Sequence, residues 1–190
     1  MYENTKLIPD IVFWKIGERE LKLDLYVPKK GTPPYPGIVF IHGGGWRGGY
    51  KEKYRRQASY LADKGYVCAC ITYRLSGEAK FPAAIEDCKM AVRWMRANAD
   101  KYDIIPDKIA AVGGSAGGHL AALLGTSGGV KELEGEGGYK GYSSRVNLVV
   151  AFFGVFDMAD MVREETGTER GAKAVIDFIG GTLEEVPEKY

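Results

Sequence analysis

The pentapeptide Gly113-Gly114-Ser115-Ala116-Gly117 sets a serine in a G-x-S-x-G pattern, at the point where an apolar run gives way to a helical one. A serine so placed could attack a carbonyl carbon. A sharp strand-to-helix turn lifts its hydroxyl out of the sheet, and glycines at Gly113 and Gly117 tolerate the close backbone approach that the turn demands. The helix that follows would aim its unbonded N–H groups and positive dipole end at the oxyanion formed by attack. In a chain with 26 glycines such a pattern also arises by chance, and a tight turn around an ordinary serine is the alternative reading of these letters. The second motif, His42-Gly43-Gly44-Gly45-Trp46, narrows the choice. Three successive glycines let backbone N–H groups converge on one point, as a tetrahedral oxyanion requires. Both motifs stand at the end of a buried strand, and together they point to acyl transfer.

Serine chemistry needs a base, normally a histidine held by a carboxylate. The chain has two histidines. His42 precedes Ser115 and belongs to the glycine loop. His119 lies one helical turn after Ser115; its side chain leans toward the helix N-terminus, but the turn aims the serine away from the helix body, so His119 reads as a packing residue. Asp157, just beyond the apolar run 146–153, is the one tempting acid. No residue is assigned as acid or base of a triad. Cys68 and Cys70 sit two apart in an apolar run and read, with Cys88, as buried thiols. Only two histidines are available to complete a metal cluster with these thiols, so no metal is assigned, and no organic cofactor is implied.

The elements that must carry these motifs are legible in the periodicity. Leu21, Leu23, Leu25 and Val27 alternate with Lys22, Asp24 and Tyr26, the period-two signature of a half-buried antiparallel strand. The run Ile11-Val12-Phe13-Trp14 is its hairpin partner, turning near Gly17. From Gly37 the character changes: Gly37-Ile38-Val39-Phe40-Ile41 is continuously apolar, as in a strand covered on both faces. Helices are expected over 52–63, 82–100 and 115–124, and strands over 66–73, 108–112 and 146–153. Such alternation specifies an α/β fold, a mostly parallel sheet with helices on both faces and an N-terminal antiparallel hairpin. Residues 126–144, rich in glycine (Gly128, Gly129, Gly135, Gly137, Gly138, Gly141), read as a surface loop. With 190 residues, 45% of them hydrophobic, one domain spanning 1–190 is the natural count.

Charge is nearly balanced, 26 Lys and Arg against 25 Asp and Glu, which argues against a nucleic-acid partner. The cluster Lys51, Lys53, Arg55 and Arg56 reads either as a solvated helix face or as a patch that steers an anionic substrate. No stretch approaches the ~20 apolar residues of a membrane span, and the polar N-terminal residues lack a signal-peptide core, so a cytoplasmic protein is expected.

The chain resembles the hormone-sensitive-lipase-like α/β-hydrolases, particularly the bacterial branch of acetyl-xylan, feruloyl and general carboxylesterases. The resemblance is carried by His42-Gly43-Gly44-Gly45-Trp46, Tyr73-Arg74-Leu75, Phe81-Pro82-Ala83-Ala84-Ile85-Glu86-Asp87, Gly113-Gly114-Ser115-Ala116-Gly117-Gly118-His119-Leu120 and Phe153-Gly154-Val155-Phe156-Asp157. It implies that Ser115 is the nucleophile, that the N–H groups of Gly44, Gly45 and Ala116 form the oxyanion hole, and that the substrate is a small ester. It implies a structural part for His42 and a non-catalytic one for Asp157. In the family, the acid and histidine come from later strands, so the resemblance implies that the chain stops short of them. Two other readings stay open: a silent module lacking its base, and an aryl-formamide hydrolase like the kynurenine formamidases, which share the H-G-G-x-W loop. Missing strands would leave 146–153 as an exposed edge, with self-association or a complementing C-terminal segment expected.

Overall fold

The computed structural model describes residues 2–163 and 168–190. Six strands form one sheet in the order β1-β2-β4-β3-β5-β6. The hairpin β1 (Thr5–Ile16) and β2 (Arg19–Pro28) is antiparallel, turning at Gly17 as the sequence predicts. β2 runs antiparallel to β4 (Val67–Ile71). From there β3 (Tyr35–Ile41), β5 (Ile104–Gly114) and β6 (Leu148–Phe152) are parallel to β4.

The alternation of side chains along the strands builds two separate cores. Leu21, Leu23, Leu25, Val39, Ile41, Ala69, Ile71 and Ala111 face one side. Helices α2 (Ala83–Ala97), α3 (Ala116–Thr126) and α5 (Glu169–Ile179) cover it with Ile85, Cys88, Val92, Met95, Leu120 and Phe178. Tyr26, Ile38, Phe40, Cys68 and Cys70 face the other side, against Ala58 and Ala62 of α1 (Arg55–Asp63). The cysteines are free and buried, and burial raises each thiol pKa. A short helix, α4 (Met158–Val162), precedes α5.

Three expectations change. Residues 51–54 form a 3₁₀ turn, so the helix expected over 52–63 starts at Arg55. The cluster Lys51, Lys53, Arg55 and Arg56 is not one solvated face. Lys51 is buried and bonded to Asp24 (2.8 Å), Asp10 (3.2 Å) and Glu52 (2.8 Å). Burial opposes its charge, but these three carboxylates outweigh it and raise its pKa. Asp24 is thereby buried too, so β2 is covered on both faces at that point and not half-buried. The glycine-rich loop 126–144 is irregular as expected, and Glu134 anchors it: Lys89 (2.8 Å), Arg93 (2.6 Å) and Ser144 (2.7 Å) all bond its carboxylate.

The topology fixes where a site can lie. The chain passes from β3 outward to β4 and then returns across β3 to β5. Between the C-terminal ends of β3 and β5 the winding reverses, which leaves a crevice in open parallel sheets. Ile41 pairs with Gly113 at this spot, so the two motifs of the sequence open side by side.

Candidate active site

Ser115 stands between β5 and α3 with φ 57° and ψ −127°. A non-glycine residue held there costs of order 1–3 kcal/mol, which the surroundings must supply. They do so by contact. A Cβ on Gly113 would overlap the Gly117 carbonyl, and one on Gly117 would overlap the Ile41 carbonyl. The turn is therefore packed backbone against backbone, and only glycine fits. Ser115 N–H donates to the Phe152 carbonyl of β6 at 2.9 Å, and the Ser115 carbonyl accepts from His119 N–H at 3.0 Å. These two bonds hold the serine from the neighbouring strand and from its own helix.

The glycine loop lies directly against this turn: a Cβ on Gly43 would come 3.2 Å from Ser115 Cβ. Gly44 adopts φ +139°, and its carbonyl accepts from Arg47 N–H and Gly48 N–H, both at 3.2 Å. Neither Gly44 N–H nor Gly45 N–H donates to any acceptor among the described residues. Ala116 is the first residue of α3, where an N–H has no acceptor within the helix. Three amides without an acceptor among the described residues thus line one cavity with Ser115.

Side chains behind the loop hold it in place. His42 is buried; its Nδ1–H donates to the Gly43 carbonyl at 3.1 Å, and its ring stacks on Tyr73 at 4.4 Å. Tyr73 O–H donates to the His42 carbonyl at 2.9 Å. Burial pushes the His42 pKa down, so the ring is neutral and serves as structure. Trp46, buried with φ +55°, stacks on Phe178 of α5 at 4.6 Å. His119 packs edge-on against Trp46 and Phe178, its Nδ1 buried without a partner among the described residues. Burial lowers its pKa to about 4. Neither histidine hydrogen-bonds Ser115. Asp157 caps α4, accepting from Asp160 N–H at 2.7 Å.

Other motif residues bind one another. Arg74 grips Asp87 in a two-pronged pair (Nε–Oδ2 2.9 Å, Nη2–Oδ1 2.8 Å) and reaches Glu86 at 3.1 Å. Burial pushes the Asp87 carboxyl up, and Arg74 pulls it back. This clamp fastens the exit of β4 to the start of α2, away from Ser115.

An open cavity of about 470 Å³ lies over Ser115 and Ala116, with Gly44, Gly45 and Trp46 on one wall. Hollows of similar volume occur elsewhere, so the serine and its amides single this one out, not its size. The opposite wall comes from α5, through Arg170, Ala174 and Val175. The sequence reading missed this wall. Its signal was present: Thr168 caps the helix, Gly180 ends it in the left-handed region, and Ala174, Val175, Phe178 and Ile179 form the apolar stripe between.

A family model, BD-FAE, matches residues 23–190. The chain is similar to Esterase LipC of Mycobacterium tuberculosis, 37% identical over 130 residues that make up 68% of this chain and 32% of LipC. Among solved structures it is similar to a bifunctional GH43-CE protein of Bacteroides eggerthii, with a TM-score of 0.83 and 38% identity over 94% of this chain and 24% of that one. It is also similar to a truncated form of a carbohydrate esterase from gut microbiota, with a TM-score of 0.82 and 32% identity over 98% of this chain and 70% of that one. The chain thus spans about a third of the length of LipC and about a quarter of the bifunctional protein.

Proposed function

The chain belongs to the BD-FAE family of α/β-hydrolase esterases, and we propose that residues 1–190 form one domain carrying the nucleophile and oxyanion hole of a serine carboxylesterase. The observation that carries the proposal is the conformation of Ser115, φ 57° and ψ −127°, in a turn closed by glycine. In this reading the strained turn is what lifts the nucleophile clear of the sheet.

In the proposed reaction Ser115 Oγ attacks the carbonyl carbon of a small ester. The N–H groups of Gly44, Gly45 and Ala116 meet the negative oxygen, the alcohol leaves with the serine proton, and water then cleaves the acyl-serine to release the acid. The proton must pass through a base. His42 is occupied with Gly43 and His119 with Trp46 and Phe178, so the reaction as proposed needs a base other than these two histidines. The carbohydrate esterases among its structural relatives support an ester on a sugar, and the resemblance to acetyl-xylan esterases supports a short acyl group; the same machinery would also cleave an aryl formamide. No cofactor takes part. The idle histidines also support a second reading, a silent module that binds esters over Ser115 without turnover.

A chimera tests the choice. Residues 1–190 are joined to the portion of the gut carbohydrate esterase beyond the match, and p-nitrophenyl acetate hydrolysis is followed. The proposal expects turnover that Ser115→Ala removes, down to the residual ~10³–10⁴ over water left by binding and oxyanion contacts. Full activity in the Ser115→Ala chimera would refute the nucleophile.

A further inference from the structure

Three cations meet at the Ser115 cavity: Arg47 just beyond the glycine loop, Lys53 in the 3₁₀ turn before α1, and Arg170 in the first turn of α5. No carboxylate joins them among the described residues of the lining. Cleaving a neutral ester calls for none of the three, because the developing charge lies on the carbonyl oxygen, where backbone amides meet it. Structural duty does not explain them either. Lys53 and Arg170 are exposed and have no ion-pair partner among the described residues, and Arg47 meets Asp177 only at a long 3.6 Å.

The contrast with their neighbours is informative. Lys51, two residues before Lys53, is buried and neutralised by three carboxylates. Arg55 and Arg56 line a different hollow, with Tyr2 and Tyr26. Of that run of four cations, Lys53 alone lines the Ser115 cavity, where residues distant in sequence, Arg47 and Arg170, join it. The cavity thus has a positive mouth above free amides and the N-terminal end of α3, an arrangement that raises the local concentration of anions.

We infer that the ester taken at Ser115 carries a second, anionic group, a carboxylate within a few bonds of the scissile ester. The inference deepens the esterase reading and rests on it. Two sources share that chemistry. A half-ester of a dicarboxylic acid holds the charge on the acyl side, and an O-acetylated uronic acid holds it on the alcohol side. Each exposed cation is worth about 1.5- to 5-fold in affinity, screened as salt rises.

Ligand-observed saturation-transfer NMR on the 190-residue chain tests this and tolerates self-association. Two matched pairs are titrated: monoethyl succinate against diethyl succinate, and an O-acetylated methyl glucuronoside against the corresponding glucoside. In one pair the anionic member should bind at least about fivefold more tightly at low salt, and the gap should close at high salt. The pair that shows it identifies the side carrying the charge. Lys53→Gln combined with Arg170→Gln should narrow the ratio about threefold with an unchanged melt. Ser115→Phe, which fills the cavity, should abolish the signals and so locate them. Equal affinities within both pairs, with signals still lost in Ser115→Phe, would overturn the charge inference and leave the esterase reading standing. No binding by any of the four, or binding indifferent to Ser115→Phe, would overturn both.

Discussion

The strands β3 and β5 and the strand β6 lie side by side in one sheet, yet they solve opposite problems. Residues 37–41 of β3 are buried throughout, and the turns that leave β3 and β5 are packed backbone to backbone. Along β6 no residue is fully buried. Phe152 is 48% exposed, and beyond the strand Phe153 is 81% and Phe156 65% exposed. β6 pairs with β5 alone among the described residues. Placing Ser115 is thus a matter of local backbone sterics, finished within the interior of the sheet. The proposed site divides between a rigid interior that sets the serine and an open edge beside it.

That division makes the interior turns the least tolerant positions. Gly113→Ala puts a Cβ into the Gly117 carbonyl. It should cost about 3 kcal/mol or more, or abolish cooperative unfolding in urea; a loss below about 1 kcal/mol would mean that the turn is not closed by sterics. Next comes the glycine loop. Gly44→Val meets both the left-handed φ of +139° and the Gly48 carbonyl, so it displaces the amides as it distorts the loop. In the active chimera kcat should fall by ~10²–10³, the loss expected for one oxyanion donor. An unchanged kcat would move the oxyanion hole elsewhere.

A pH-dependent effect belongs to His119, which bridges the helix that follows Ser115 and the cavity wall. Folded, it stays neutral down to about pH 4; unfolded, it takes a proton near 6.5. Its contribution is therefore fully present above about pH 6.5 and is lost as pH falls toward 4, up to about 3 kcal/mol in all. Burial lowers His42 in the same sense. Urea unfolding across that range should show the slope, and His119→Leu should flatten it. A slope undiminished in His119→Leu would assign it elsewhere.

At the edge the smallest change in stability is expected. Phe153→Ser with Phe156→Ser should shift the unfolding free energy by no more than about 0.5 kcal/mol. It should also reduce self-association seen by size exclusion with light scattering, since an unpaired apolar edge is a template for pairing with another chain. A wild-type chain that is monomeric at every concentration would break the comparison.

The parts of this fold legible in the sequence are those fixed by short-range rules. The alternation of Leu21, Leu23 and Leu25, the apolar run 37–41 and the two glycine motifs each state a local backbone geometry, and the sheet and the turns follow from them. What escaped depended on distant partners. Lys51 looked like a surface cation because its partners Asp10 and Asp24 come from the hairpin, dozens of residues away. Arg74, Glu86 and Asp87 carried the family resemblance but turned out to bind one another. The α5 wall escapes because nothing local says that this helix, with Arg170, lines the Ser115 cavity.

The central claim is that Ser115 is set for attack and left without a base by the residues around it. Fluorophosphonate labelling of the 190-residue chain, with the adduct located by peptide mass spectrometry, tests both parts together. A single adduct should form on Ser115, vanish in Ser115→Ala, and accumulate slowly at a rate that climbs with hydroxide from about pH 6 to 9 without a plateau. Rapid stoichiometric labelling that levels off above a midpoint near 6–7 would reveal a histidine already serving as base, and an adduct on any other residue would remove Ser115 from the chemistry.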